Sequence, residues 1–187
     1  MIIIVKQYDR KENYTMKKLS TLFKEVETVT PETLNDIINN ENVDCENLTV
    51  REKLAVLVYN EMSKSLTTKK QTLLLDCNFA NSRFHNKEDE AENEYLVDYF
   101  CLINNDDANT RLMQFYFSAT KENVFFRICT SCKKVTRKQF EELEETLHFT
   151  VVYNKKTGAA KTSVRKKIDY DNIVAVTKDV LAVLATK

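Results

Sequence analysis

The chain has 187 residues, 43% of them hydrophobic and 30% charged, which supports a folded core and excludes wholesale disorder. Lys plus Arg equals Asp plus Glu at 28 each, so no global positive field collects nucleic acid or an anionic membrane, and such binding needs a local patch. A single glycine and a single proline exclude the glycine-rich phosphate loops, the dinucleotide fingerprint and the Gly-x-Ser-x-Gly elbow, where several glycines take positive φ or let the backbone close on a ligand.

Ile2 to Lys6 reads as a short strand with no cationic segment before it, so it does not read as a signal peptide. No apolar run approaches the roughly 20 residues of a membrane span. From Thr15, Met16, Leu19, Leu22, Phe23 and Val26 recur at helical spacing. Thr30 and Pro31 open a second short helix, Thr as N-cap and Pro at the first helical position. After a polar connector, Thr49 and Glu52 form a capping box for a helix over about residues 50–65, with Leu54, Leu57, Val58 and Met62 inward.

The period then changes. Leu73 to Leu75, Tyr95 to Ile103, Leu112 to Phe117 and Val124 to Ile128 read as strands of an antiparallel meander, with turn chemistry at Asn104 to Asp107. The polar, largely acidic stretch 80–94 reads as a solvated loop. Thr136 and Gln139 form a second capping box, opening a helix with Phe140, Leu143 and Leu147 inward. Phe149 to Tyr153 and Ala159 to Ile168 read as a strand pair, and Asp171 as the cap of a last helix; its Val and Ile content leaves a strand as the alternative. The expected class is α+β: a three-helix amino-terminal unit, residues 1–68, followed by an antiparallel sheet with flanking helices, residues 69–187, the two sharing one core or not.

Cys129 and Cys132 form a Cys-x-x-Cys turn that could offer two thiolates to zinc, with Cys77, Cys101, His85 or His148 completing the site through the fold. Two ordinary cysteines at a strand end, or a redox pair, are the other readings. Five cysteines without framework spacing fit a reducing compartment. His148 ends a predicted helix, where it favours the last carbonyls. The stretch Lys155, Lys156, Lys161, Arg165, Lys166 and Lys167 is a candidate contact for phosphates or an acidic protein face, or a solvated surface. No aromatics interleave it, which argues against base stacking there.

Residues 43–65, VDCENLTVREKLAVLVYNEMSKS, together with the amino-terminal VKQYDRKENYTMKKL, resemble the T4-like phage baseplate hub assembly proteins. Lys6, Gln7, Tyr8, Leu48, Thr49, Arg51, Leu54, Ser63 and Ser65 carry the resemblance, which covers the first third of the chain. It implies a tail or baseplate morphogenesis role in the host cytoplasm or the virion: a binding protein with viral assembly partners, no membrane, no cofactor and no catalytic residues. A small zinc-stabilised nucleic-acid or transcription-complex factor is the alternative expectation.

Overall fold

The computed structural model describes residues 14–39, 43–75, 97–120, 122–130, 135–150 and 165–186. The predicted strand Ile2 to Lys6, the acidic stretch 80–94 and the turn at 154–158 lie outside these residues. In chain order the elements are helices α1 (Leu19–Thr28), α2 (Pro31–Ile38) and α3 (Val50–Leu66), strands β1 (Gln71–Leu75), β2 (Val97–Asn104), β3 (Asp107–Ala119) and β4 (Val124–Thr130), helix α4 (Arg137–Leu147), strand β5 (Arg165–Asp169) and helix α5 (Ile173–Ala185). Short 3-10 turns precede α3, at Cys45–Asn47, and α5, at Tyr170–Asn172. The fold is α+β, with the amino-terminal helices and the flanking helices around one antiparallel sheet in the order β1-β2-β3-β4-β5.

Local chemistry sets the helix ends. Thr30 accepts from the Thr33 N–H, and Pro31 begins α2. Thr49 with Glu52, and Thr136 with Gln139, each make both reciprocal bonds of a capping box. With glycine scarce, chain reversals fall to other residues: Asn39 ends α2 at φ 48° and His148 ends α4 at φ 54°. Asn and His tolerate this left-handed region better than most side chains.

Two predicted helix starts shift. Helix α1 begins at Leu19 rather than Thr15, because the preceding backbone is committed elsewhere. The Lys17 N–H donates to Glu61, and the Lys17 carbonyl accepts from the Tyr170 hydroxyl at 2.8 Å. Asp171 does not cap the last helix; it lies within a 3-10 turn, and Asn172 at the cap makes no side-chain cap bond. Tyr170 of that turn is buried in the core. Helix α5 forms despite its β-branched residues, and buried Thr177 donates its hydroxyl to the Ile173 carbonyl.

Strand alternation turns Leu73, Leu75, Phe100, Leu102, Met113, Phe115, Phe117, Phe126, Ile128 and Ile168 toward the helices, where they join the apolar sides of all five in one cluster. Its centre is aromatic: Phe100, Phe117 and Phe126 lie 5.8–6.2 Å apart, and Tyr59 of α3 stacks 5.8 Å from Phe100.

Among the described strands β1 lies at one edge, with an uncharged sequence, QTLLL, the kind that recruits foreign strands. Its outward groups at Gln71 and Leu73 are already occupied. The Tyr59 hydroxyl donates to the Leu73 carbonyl, the Leu73 N–H donates to Thr67 Oγ1, and Thr68 brackets Gln71 from both backbone and side chain. Asn105, at the β2–β3 turn, ties this connection down with donors to the Thr68 and Lys69 carbonyls and an acceptor for Thr72.

Candidate binding site on the second sheet face

The side chains that alternate away from the helices make a second face. One cross-strand row runs Leu74, Cys101, Gln114, Cys129, with the Arg165 backbone next in register. The next row runs from the Asp98 backbone through Tyr116 and Arg127 to Lys167, and beyond it lie Ser118, Phe125 and Asp169. Leu74, Phe125 and Cys129 are buried, Gln114, Tyr116 and Arg127 are half-buried, and Lys167 and Asp169 are exposed.

The middle row sets two cations side by side. Arg127 of β4 stands directly opposite Lys167 of β5. Like charges opposite one another in a sheet repel. The Lys167 ammonium lies 3.8 Å above the Phe125 ring. Arg127 has no carboxylate partner among the described residues. This pairing was invisible in the linear sequence, where Arg127 is one polar residue in the apolar run VFFRICT; only the register joins it to Lys167.

Of the predicted zinc ligands, Cys101 and Cys129 reach the same face but flank Gln114 on the intervening strand. At about 4.8 Å per strand their backbones are about 10 Å apart, and side chains standing perpendicular to the sheet keep the sulfurs separated. Any closed site at Cys129 would draw its other ligands from outside the described residues, where Cys77, His85 and Cys132 lie. Among the described residues no three His, Cys, Asp or Glu side chains gather at one point. His148 serves as the left-handed C-cap of α4, letting the Phe149 N–H reach the Leu143 carbonyl at 3.0 Å.

Of the predicted basic stretch, Lys155, Lys156 and Lys161 lie outside the described residues. Lys166 and Lys167 point to opposite sides of the sheet. Lys166 donates to the Leu147 carbonyl and lies over the Phe149 ring, where its charge suits the negative end of α4. Lys167 joins the second face, where the Arg165 backbone also pairs in register with Cys129.

Two further polar clusters escaped the sequence reading because they depend on distant contacts. Glu61 of α3, 1% exposed, accepts from the Tyr14 hydroxyl, the Lys17 N–H at 3.0 Å and Lys64 Nζ at 2.7 Å. Burial pushes its carboxyl up, but these donors outweigh it and leave it below the usual carboxylate range. Burial first, then Glu61, raises the Tyr14 and Tyr170 phenols above their ordinary range. The cluster clamps the segment before α1 between α3 and the turn before α5. Gln139 is the other: its Oε1 accepts from the Thr136 N–H, while its Nε2 donates to the carbonyls of Leu184 at 3.0 Å and Thr186 at 2.8 Å, so one amide joins the start of α4 to the end of α5.

The chain matches no family model, and no curated protein or solved structure matches it. No helix of the described residues is long and apolar enough to cross a membrane.

Proposed function

We propose that this protein is a non-enzymatic structural or assembly component of a tailed phage, acting in the host cytoplasm or the virion through contacts with other viral proteins. The observation that carries the reading is the stretch 43–65, which resembles the baseplate hub assembly family and builds α3. Leu54 and Ser63, two of the residues that carry the resemblance, are buried in this helix. Co-expression with baseplate and tail proteins, followed by affinity capture and sedimentation of the complex, tests the role. The expected result is a stoichiometric complex with one of them; a protein that sediments alone in the presence of every such component refutes it.

A second reading, a nucleic-acid-binding or transcription-complex factor stabilised by zinc at Cys129 and Cys132, is favoured by the like-charge pair Arg127 and Lys167 on one sheet face. Metal analysis of the purified protein tests the zinc: less than about one equivalent, with stability unchanged by a chelator, removes that part.

A further inference from the structure

We propose that residues 14–17, the segment before α1, form a strap that loss of the charge on Glu61 releases from α3 while the sheet and its helices stay folded. The release depends on neither reading of function above.

The segment is built to separate from the rest. Its backbone lies outside any helix or strand, Tyr14, Thr15 and Lys17 are exposed, and Met16 is only half-buried against the core. Segments with so few buried apolar contacts open locally, at less free energy than global unfolding. Lys18 is the hinge: it caps α1, and its carbonyl accepts from the Thr21 N–H at 2.9 Å. What seats the strap is polar and converges on one side chain. The Tyr14 hydroxyl and the Lys17 N–H both donate to Glu61 Oε2, the second at 3.0 Å. Lys64 completes the seat, with its Nζ 2.7 Å from Glu61 Oε1, 3.3 Å from the Tyr14 hydroxyl and 5.3 Å from the centre of the Tyr14 ring. One further bond, from the Tyr170 hydroxyl to the Lys17 carbonyl at 2.8 Å, reaches the turn before α5.

Glu61 itself stays behind when the strap leaves, because it belongs to α3, whose Leu57, Val58 and Met62 are in the core. The other charged and titratable groups of the cluster, among the described residues, are Tyr14 and Lys17 of the strap, Glu25 of α1, which pairs with Lys17 Nζ at 2.6 Å, Lys64 of α3, and Tyr170 and Asp171 of the turn before α5. Burial pushes the Glu61 carboxyl up, and the donors from Lys64, Tyr14 and Lys17 outweigh it, so its folded value lies below its unfolded one. All three bonds are charge-assisted, and protonation reduces them to neutral bonds about half as strong. The strap is therefore fully seated above about pH 4.5 and is released as pH falls through the lower folded value. Opening uncovers the Glu61 carboxyl, the Tyr170 hydroxyl and the apolar surface under Met16.

The test is native-state hydrogen exchange of the full chain followed by NMR, comparing the Lys17 amide with the sheet amides of Phe115 and Phe126. At pH 7 the Lys17 protection factor should lie about a hundredfold or more below theirs, and low denaturant should leave it unchanged while theirs falls. Glu61→Gln, neutral at pH 7, should lower Lys17 protection about tenfold. Acidifying the parent to about pH 3.5 should do the same, and the variant's factor should not change over that range. Tyr14→Phe keeps the ring and removes one donor; it should lower Lys17 protection by about two- to tenfold and serves if Glu61→Gln does not fold. A Lys17 amide that exchanges together with the sheet at every denaturant concentration makes the opening global and overturns the proposal. So does a Lys17 protection factor that the substitutions and acid leave unaltered.

Discussion

The substitution Gln139→Glu exchanges one NH2 group for one oxygen and separates helix-local from tertiary reasoning. Taken alone, α4 should tolerate or welcome the change. Glutamate completes a capping box as well as glutamine, and a negative charge in the first turn suits the helix dipole by roughly 0.3–1 kcal/mol. The tertiary structure says the reverse. Gln139 is buried and its Nε2 donates to the Leu184 and Thr186 carbonyls at 3.0 and 2.8 Å. Each such bond contributes a net of about 0.5–1.5 kcal/mol. Losing both, and setting a carboxylate against the negative end of α5, should cost about 2–4 kcal/mol. For a chain of this size that is a fall in melting temperature of about 4–16 °C. The penalty also has a pH signature. When protonated, the introduced carboxyl regains a donor, so its folded-state pKa lies above its unfolded value. The variant's deficit relative to the parent should therefore be smallest below about pH 4.3 and grow as pH rises through the folded value. Thermal unfolding of both proteins between pH 4 and pH 7 measures the difference directly. A variant at least as stable as the parent at pH 7 would refute the α4–α5 bridge.

The paired change Tyr59→Phe, Thr67→Val keeps the ring and the volume but strips the Leu73 N–H and carbonyl of their partners. It should cost about 1–3 kcal/mol and expose an uncharged strand edge, so sedimentation should show self-association beyond the parent's; identical sedimentation argues against the sealing role. His148→Gly should raise stability by about 1 kcal/mol in denaturant melts by removing the cost of a left-handed non-glycine residue, while His148→Val should lower it by a similar amount or more. Because its donors hold the folded-state pKa of Glu61 below the unfolded value, its contribution is complete above about pH 4.5 and is lost as pH falls through the lower folded value. Glu61→Gln should flatten that acid limb and cost about 1–3 kcal/mol at pH 7; an acid limb of unchanged steepness would show that other carboxylates control it.

Much of the fold was readable because it is encoded over short distances. Thr49 with Glu52 and Thr136 with Gln139 mark helix starts by their own reciprocal chemistry, and the switch from helical to alternating periodicity after Lys70 marks the sheet. Asn39 and His148 show how a chain with one glycine still turns its helix ends. Where local signals failed, a distant partner had claimed the backbone: Glu61 and Tyr170 hold Lys17, so α1 starts late. The candidate surface was the least readable part. The basic stretch read as one contact surface, but alternation sends Lys166 to the end of α4 and Lys167 to the other face.

What the sequence by itself determined is therefore the class of fold, the capped helices, the strands and the absence of glycine-dependent motifs, since propensity, capping and periodicity act within a few residues. Only the tertiary structure decided that Gln139 binds α5, that Glu61 anchors the chain before α1, and that Arg127 meets Lys167 beside Tyr116. Those pairings depend on strand register and helix packing, which bring together residues tens of positions apart and leave no periodic trace in the chain.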